Sequence, residues 1–444
     1  MSPNSVTLKT IYEREYQRTH YKKAVFPVFA DVRFKDALKE GSTVSWEYDA
    51  DATSDSLTAA DAYTIAGKTT TPETLTVNQK PSHGFVIKGT QKIQDHKPTQ
   101  QKWAAKAMNV IHNKIDGDVL KDLRDGAASS LDAADFGGSS GDPITVTTSN
   151  AAAIFAAAQR VLTNQNVIYD ENKAFKNVVK LDGGERFPVA AIPAELKEKL
   201  LLQTGFKNTD YADQVMKSGY MGPMFGFNAI SSTALPFSFR YTLTAQPTNT
   251  TYLTIGSGTT TIGSGTALKI TWVTSIGSTA GNVLSETGAT ESVANLATHL
   301  NDIYEATTSA KHVGFTRADL STAQKRLADN LSAVDNEDGS IVITIAGLGR
   351  QTVAQTDTAG TIDRETVHAI FGVSRSIAMV MQRSPELEVS AGNLLVTSET
   401  GGFVGKHYLC WGLYGRKVFK THTYGLVNVK IAASAFTAPN AVIY

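Results

Sequence analysis

The longest regular pattern of apolar and polar positions in the chain runs from about Thr99 to Asp125. Apolar residues recur there at steps of three and four, and mostly charged or amide side chains lie between them. The apolar positions are Trp103, Ala104, Ala107, Met108, Ile111, Ile115, Val119, Leu120 and Leu123. This spacing predicts an amphipathic helix roughly 40 Å long with one apolar face. Pro98 suits its first turn, with Asp95 or Thr99 as the cap.

The segment at the start of the chain, residues 1 to about 40, scatters apolar and aromatic residues among charges. They are Tyr12, Tyr16, Tyr21, Val25, Phe26, Phe29, Val32 and Phe34, with Pro27 interrupting them. Rings on such a polar segment can be buried only against another surface. We therefore predict an arm that contacts a neighbouring subunit, with a helix packed on its own domain as the alternative.

Two predicted strands bracket a polar excursion before the long helix. Val44, Trp46 and Tyr48 alternate with polar residues in 41–48, which predicts a half-exposed strand, and a second strand covers 74–77 and extends toward Ile87. Between them, residues 49–68 are mainly Asp, Ala, Ser and Thr. A long hairpin whose tip has no hydrophobic core of its own is energetically unfavourable in a monomer. It is better explained if a neighbouring subunit lies beneath the tip.

After the long helix, the pattern predicts alternating helices and strands, as in an α/β or α+β fold. Helices are expected at 151–166, at 194–203 and, shorter, at 210–217, and strands at 187–192 and 227–231. In the C-terminal segment, strands are expected at 408–414, 417–420 and 426–431.

The composition changes at Tyr241, because Thr, Gly and Ser dominate from there to Leu284 and Lys269 is the only charged residue. This block contains a predicted strand at 268–274, an amphipathic helix at 291–306, and a turn and strand at 335–345. From Thr366 the composition again matches that of the residues before Tyr241. Residues 241–365 are therefore predicted to form a self-contained, mostly β domain.

Charge and length exclude several classes of protein. The 444 residues carry 42 Lys and Arg against 42 Asp and Glu, so the zero net charge attracts neither nucleic acid nor an anionic membrane. No apolar run approaches the roughly 20 residues of a membrane span. The N-terminus has no secretory signal pattern. Cys410 is the single cysteine, which rules out a disulfide within the chain and fits a reducing cytoplasm; its apolar neighbours predict a buried, inert thiol.

Three patterns suggest chemistry, and each fails. Gly137, Ser139 and Gly141 match Gly-x-Ser-x-Gly, but no buried strand precedes the serine and Pro143 follows. Residues 335–339 suggest a calcium loop, but its first and twelfth ligand positions would be Val334 and Ile345. The nine histidines show no metal-ligand spacing. We predict no catalytic residue, no cofactor and no metal site.

In this order, the arm, long hairpin, long helix, α/β segment and glycine-rich turn resemble the major capsid proteins of tailed bacteriophages. The resemblance is strongest to the branch whose coat protein has an inserted domain. SGYMGPMFGFNAISSTALP, residues 218–236, resembles that branch's helix, glycine-rich turn and strand; the residues that match the turn motif are Gly219, Gly222, Gly226, Phe227 and Pro236. LYGRKVFKTHTYGLVNVKI, residues 413–431, is similar to the closing strands. GSTVSWEY and TLTVNQKPSHGFVIKG are similar to the strands of the extended loop.

This resemblance implies an α+β capsid fold in five segments: an N-terminal arm (1–40), an extended hairpin loop with its strands (41–97), the spine helix with the peripheral domain and the start of the axial domain (98–240), a mostly β insertion (241–365), and the rest of the axial and peripheral domains (366–444). The expected inter-subunit contacts of arm and loop are Tyr12, Tyr16, Tyr21, Phe26, Phe29, Trp46, Tyr48 and Lys68. Lys68 alone does not establish the covalent crosslink that some relatives form.

The resemblance further implies that the chain is a non-enzymatic coat subunit. It would assemble with itself into hexamers and pentamers of an icosahedral shell around double-stranded DNA, in the host cytoplasm and then the virion. Expected partners are the portal, a separate scaffolding protein because no charged helical propeptide precedes the arm, and packaged DNA only weakly; decoration proteins stay open. The alternatives are another phage structural protein, such as a tail tube or decoration protein, and a multidomain bacterial enzyme or surface-binding protein.

Overall fold

The computed structural model describes residues 25–32, 41–49, 70–88, 99–165, 179–181, 184–202, 223–304, 311–389, 394–397 and 401–433. The helices in these ranges are α1 (Phe26–Phe29), α2 (Thr99–Asp125), α3 (Ala151–Asn164), α4 (Ala194–Leu201), α5 (Ala289–Asn301), α6 (Thr322–Ala328) and α7 (Lys420–Thr423). Short 3-10 helices lie at Ala133–Phe136 and Arg317–Asp319. The predicted α+β class is confirmed.

The strands in the same ranges are β1 (Ala30–Asp31), β2 (Thr43–Asp49), β3 (Thr70–Gln79), β4 (Ser82–Lys88), β5 (Ser129–Leu131), β6 (Val179–Leu181), β7 (Gly184–Arg186), β8 (Pro188–Ile192), β9 (Pro223–Met224), β10 (Phe227–Ser231), β11 (Phe237–Leu243), β12 (Tyr252–Ile255), β13 (Leu268–Val273), β14 (Asn282–Leu284), β15 (Leu331–Asp335), β16 (Ser340–Ile345), β17 (Val353–Gln355), β18 (Gly360–Val373), β19 (Ile377–Val389), β20 (Leu394–Thr397), β21 (Gly401–Lys417) and β22 (Leu426–Ala432). Apart from the two-stranded β6–β7 pair, they form a seven-, a nine- and a four-stranded sheet.

The long helix α2, called the spine helix below, has the predicted bounds. Its apolar stripe is buried at Ala107, Ile111, Ile115, Val119, Leu120 and Leu123, whereas Ala104 and Met108 are partly exposed and Trp103 is 41% exposed. It packs against β4, β19 and β21 of the seven-stranded sheet and against β18 and β22 of the nine-stranded sheet. One hydrophobic cluster therefore continues from one sheet to the other through the spine helix.

The seven-stranded sheet contains the predicted hairpin. Its central order is β1-β19-β21-β3-β2, with β4 and β20 also paired to β21. Strands β2 and β3 are antiparallel, from Thr43 opposite Thr76 to Asp49 opposite Thr70. The second predicted strand is in fact two, because a turn at Lys80 and Pro81 separates β3 from β4, and Pro81 has no N–H to donate to a ladder. The hairpin tip, residues 50–69, lies outside the described residues.

The nine-stranded sheet carries α3 and α4. Its order is β15-β16-β11-β18-β8-β10-β9, and β22 pairs with both β18 and β5. Every residue of β8 is buried, as is typical of a strand covered on both faces. A second cluster lies under α3 and α4, including Phe155, Leu196 and Phe371.

Most predicted elements in the described ranges are confirmed within a few residues; one strand is wrong and one helix is clearly shorter. The strand predicted at 417–420 is wrong, because β21 ends at Lys417 and α7 begins at Lys420. Phe419 is buried there, and the Lys420 N–H donates to Glu73 Oε2 at 2.9 Å, which turns the chain off the sheet. The helix predicted at 291–306 is shorter, since α5 ends at Asn301. The helix predicted at 210–217 lies outside the described residues.

Residues 241–365 form more than one layer. Strands β12, β13, β14 and β17 make the separate four-stranded sheet. Strands β15 and β16, however, extend the nine-stranded sheet through β11, where Phe237 pairs with Ile345. Tyr241 therefore lies inside β11, and the apolar core of residues 241–365 continues into the nine-stranded sheet.

Candidate subunit-contact surfaces

The base of the arm is fixed to the spine helix by one buried carboxylate. The N–H groups of Val25 and Phe26 both donate to Asp116 Oδ1 at 2.7 Å, and Asp116 is only 2% exposed. Backbone N–H groups bound to an ionised carboxylate form strong, short hydrogen bonds. The next strand, β1, pairs in parallel with β19. Residues 25–32 are therefore fixed to their own subunit.

The predicted contact residues of the arm fall into three groups. Tyr12, Tyr16 and Tyr21 lie outside the described residues. Phe26 is partly exposed and packs at the edge of the main core, so part of its ring is available to a neighbour. Phe29 is 0% exposed, so its ring packs within its own subunit instead of against another. The aromatic pattern predicts an arm contact at Phe29, whereas the turn of α1 points its ring inward.

The hairpin is anchored at its base by an aromatic contact. The rings of Trp46 and Phe419 lie 6.2 Å apart at 33°, next to the small cluster formed by Leu75, Val77, Ala378, Val380 and Phe419. Trp46 thus packs, in part, on its own subunit. Lys68 and the side chain of Tyr48 lie outside the description. Since β2 ends the central strand order, no strand in the described ranges pairs with its outer edge.

A buried ionic cluster joins the spine helix to β21. The Tyr414 hydroxyl donates to Asp118 Oδ2 at 2.9 Å, and Arg416 Nε lies 2.6 Å from Asp122 Oδ2. Lys114 Nζ lies 2.9 Å from Asp118 Oδ1. Burial raises the pKa of Asp122, and Arg416 opposes that rise. Burial would lower the pKa of Arg416, but Asp118 and Asp122 hold it above its ordinary value.

The sequence analysis did not predict this cluster, because the apolar periodicity places Lys114 and Asp118 on the solvent-exposed face of the helix. The available signal was their spacing: Lys114, Asp118 and Asp122 follow one another at steps of four, which places them in a single row. Nothing local could show that β21 covers that row with Arg416.

The spine helix meets residues 241–365 at a close contact between two backbones. A Cβ added to Gly117 would lie 2.6 Å from the Cα of Gly347, so the two glycines are in direct contact. Beside them, Lys114 Nζ donates to the Asp329 carbonyl at 3.0 Å and to Asn330 Oδ1 at 3.1 Å. Lys114 therefore belongs to both contacts of the helix.

Only the second half of the glycine-rich turn is described, since Gly219 and Gly222 lie outside. Gly226 has φ +83°, a left-handed conformation that favours glycine. Phe227 is buried and packs edge-on against Phe371, with ring centroids 5.4 Å apart. The Pro236 carbonyl accepts the N–H of His368 at 3.0 Å. Gly226, Phe227 and Pro236 therefore have structural roles in the turn and in the packing and pairing of the neighbouring strands.

The rejected chemical motifs are structural in the fold. Ser139 follows a 3-10 helix capped by Asp132, and its carbonyl accepts the Asp142 N–H at 3.3 Å, which is not a nucleophile elbow. Asp335 and Asp338 accept hydrogen bonds within the β15–β16 turn, from Glu337 and Ser340. Across the described ranges, no group of three or more His, Cys, Asp or Glu side chains could hold a metal ion. The Cys410 thiol is buried, as predicted, and burial raises its pKa.

No helix in the described part of the chain is long and apolar enough to cross a membrane. Protein-family models give no match to the chain, and neither do curated proteins. Solved structures do. A structure from Mycobacterium phage Che8 is similar over 96% of this chain and 97% of its own, with a TM-score of 0.51 and 12% identity.

Two further structures are similar at lower scores. The capsid of cyanophage P-SCSP1u has 10% identity and a TM-score of 0.46, over 96% of this chain and 94% of its own. The head of Helicobacter pylori bacteriophage KHP40 has 9% identity and a TM-score of 0.46, over 96% of each chain. At these identities the likeness concerns the fold alone. The chain therefore shares the fold of the Che8 phage structure, in agreement with the resemblance found in the sequence.

Proposed function

We propose that this chain, which has the fold of phage capsid subunits, is a major capsid protein that assembles into hexamers and pentamers of an icosahedral shell around double-stranded DNA. The observation that carries the proposal is the likeness to the Che8 phage structure along nearly the whole of both chains. An enzyme is disfavoured because each candidate catalytic motif has a structural role.

The proposed mechanism is geometric. Asp116 fixes the backbone at Val25 and Phe26, and Trp46 packs on Phe419, so the arm and the hairpin would extend from fixed points of the subunit toward its neighbours. In the shell, Tyr12, Tyr16 and Tyr21 would bury their rings on neighbours, and Phe26 would add its exposed part. Burying each ring would contribute about 1.5–3 kcal/mol. Tyr48 and Lys68 would contact the neighbour beneath the hairpin.

The segments predicted from the sequence carry over as proposals. Residues 1–40 are the arm and 41–97 the hairpin loop, and the peripheral and axial domains share 98–240 and 366–444. The insertion, which we place on the outer surface, lies within 241–365. We refine its limits, because β11 and β18 pair from Leu243 opposite Gly360 to Phe237 opposite Val367 and so belong to the nine-stranded sheet.

The proposed partners are further copies of the chain, the portal and a separate scaffolding protein, with assembly in the host cytoplasm. Zero net charge lets like subunits pack closely, because excess charge of one sign would oppose assembly. Contact with packaged DNA would be weak for the same reason. Decoration proteins would bind the outer surface.

Electron microscopy of the purified, overexpressed chain tests the proposal. Closed shells are expected. Tubes would favour the second candidate, a tail tube protein, and a chain that does not assemble at all would contradict a coat role. Irregular shells would indicate that the separate scaffolding protein sets their size. A variant lacking residues 51–67 should keep the circular dichroism of the full chain and lose most of its shells, because the deletion removes tip residues and little large apolar surface.

A further inference from the structure

A short segment of the insertion closes over the end of helix α5. Residues 311–315, called the strap below, run antiparallel to β14, with His312 opposite Val283. The Val313 N–H donates to the Asn282 carbonyl at 2.9 Å. Because β14 is the last strand of the four-stranded sheet, the strap lies along an edge of that sheet.

One aromatic side chain anchors the strap at its far end. Phe315 is 2% exposed and packs in a small apolar cluster that includes Leu268 and Ile303. Its N–H donates to the Ile303 carbonyl at 2.8 Å. By contrast, every residue of β16 pairs with β11. Segments held by so few contacts open at a lower free energy than the sheets they border.

A histidine without hydrogen bonds lies beneath the strap. His299, in the last turn of α5, is 0% exposed, and neither of its ring nitrogens has a hydrogen-bond partner among the described residues. Its ring centroid lies 5.4 Å from that of His312 and 5.8 Å from that of Phe315. Both neighbours belong to the strap. The imidazole is therefore enclosed between α5 and the strap, without the hydrogen bonds that would stabilise its charge.

No carboxylate in the described ranges balances the charge that a protonated His299 would carry. Helix α5 packs against β11, β14, β15 and β16, and β14 and β16 carry no titratable residue. The charged or titratable residues of β11, β15, α5 with its C-terminal cap, and the strap are Arg240, Tyr241, Asp335, Glu291, Asp302, Lys311 and His312. None of them is hydrogen-bonded to His299. Burial, and to a smaller extent the charge of His312, lowers the pKa of His299 to about 3.

Protonation of His299 would bury a charge that has no partner. Such a charge is far more costly to bury than a neutral imidazole. A second proton on His312 would add repulsion, because the two rings are neighbours. Opening the strap removes both costs, since water then reaches His299 while α5 keeps its contacts with β11, β15 and β16.

We propose that the strap is an acid-sensitive latch of the insertion. While His299 is neutral, the strap stays closed. When His299 binds a proton, the strap opens, and Phe315 and the apolar cluster beneath it become exposed. The nine-stranded sheet keeps its strand pairing during this step, so the opening is local. The inference goes beyond the proposed coat function and does not depend on assembly.

The direction and size of the effect follow from proton linkage. In the open strap His299 has an ordinary pKa of about 6.5, whereas in the closed strap its pKa is about 3. The closed strap is therefore most stable above about pH 6.5 and loses stability as the pH falls toward about 3. Between pH 7.5 and pH 5 the ratio of open to closed strap should rise roughly 30-fold.

The first experiment measures amide hydrogen exchange in the full-length, unassembled chain by mass spectrometry at pH 7.5 and pH 5. After correction for the intrinsic exchange rates, the protection of residues 311–315 should fall roughly 30-fold. At pH 5, low urea should leave the remaining protection of the strap unchanged and lower that of β16, because a local opening exposes little surface and global unfolding exposes much.

Two outcomes of this experiment would overturn the proposal. One is equal protection of the strap at both pH values. The other is a strap that at pH 5 is as well protected as β16 and equally sensitive to urea, because the strap would then open only when the whole chain unfolds. Both comparisons use the unmodified chain, so they remain valid if a variant fails to fold.

A second experiment assigns the effect to His299. His299→Leu replaces the imidazole with an apolar side chain that binds no proton, and it should lose most of the change in strap protection between the two pH values. His112→Leu removes an exposed imidazole from the spine helix and should keep the full change. An unchanged response in His299→Leu, or an equal reduction in both variants, would contradict the latch. Far-ultraviolet circular dichroism at pH 7.5 checks that each variant is folded.

Discussion

Against the seven-stranded sheet the spine helix places charged side chains beside its apolar stripe, whereas against residues 241–365 it places backbone directly against backbone. The first contact depends on Asp118, Asp122 and Arg416 satisfying one another. The second depends on the absence of side chains at Gly117 and Gly347. A buried ionic contact tolerates small shifts but not the loss of a partner, while a glycine contact tolerates loss of charge but no added volume. The two contacts should therefore fail under different substitutions.

The largest effect is expected at the ionic contact. Replacing Arg416 with Met leaves Asp122 without its cation and Asp118 with Lys114 alone, and breaking such a largely buried group costs about 3 kcal/mol of unfolding free energy. Chemical denaturation of the unassembled chain measures it. The control is Arg350→Met, because the pair of Arg350 with Glu365 is more exposed and its loss should cost about 0–1 kcal/mol. Equal losses in both variants would remove the distinction.

The second-largest effect is a loss of stability at low pH, which we expect from His299. Burial, with a smaller contribution from His312, lowers the pKa of His299 to about 3, and neither ring nitrogen of His299 has a hydrogen-bond partner among the described residues. The unfolded chain, with an ordinary pKa near 6.5, binds the proton first. Stability is therefore complete above about pH 6.5 and decreases as the pH falls toward 3. By pH 5 the loss is about 2 kcal/mol.

Thermal unfolding at pH 7.5 and pH 5 tests this expectation. His299→Leu should reduce the difference in unfolding free energy between the two pH values, because it removes one of the buried imidazoles. His368 is a useful comparison, since burial also lowers its pKa to about 3 but its ring is hydrogen-bonded to Ser238 and Asn428. An unchanged pH dependence in His299→Leu would show that protonation of His299 does not contribute to the pH dependence of unfolding.

A smaller effect is expected at the glycine contact. In Gly117→Ala the new methyl group meets the Gly347 backbone at 2.6 Å, so helix and insertion must separate locally. We expect a net loss of about 1–2 kcal/mol, after the helix gains about 1 kcal/mol in propensity. Gly277→Ala is the matched control, because a Cβ there meets no atom within 4 Å. A stabilised Gly117→Ala variant would contradict close packing.

The sequence predicts elements that follow a local rule better than elements that depend on residues far away in the chain. Apolar periodicity located the spine helix with its correct bounds because 27 residues repeat one local rule. The strand predicted at 417–420 is wrong because the end of β21 depends on Glu73 and Trp46, which lie far away in sequence. Local alternation contains no information about such partners.

The candidate contact residues were less predictable for a related reason. Aromatic residues on a polar segment indicate burial, but they do not say whether the partner is the same subunit or another. Phe29 illustrates this, because the turn of α1 buries its ring within its own subunit. The domain limits met the same difficulty at Tyr241, where a change in composition falls inside a continuous strand.

The smallest effect is expected at Lys114, a side chain that belongs to both contacts. Its ammonium group pairs with Asp118 on one side and donates to the Asp329 carbonyl and Asn330 on the other. Because the side chain is 32% exposed, water can replace much of what is lost, and Lys114→Met should cost less than about 1 kcal/mol. Lys121→Met, on the same helix, is the control. Combining Lys114→Met with Gly117→Ala should cost less than the sum of the two, because the widened contact has already weakened the bonds to Asp329 and Asn330. Strict additivity in this double-mutant cycle would mean that Lys114 serves the ionic contact alone.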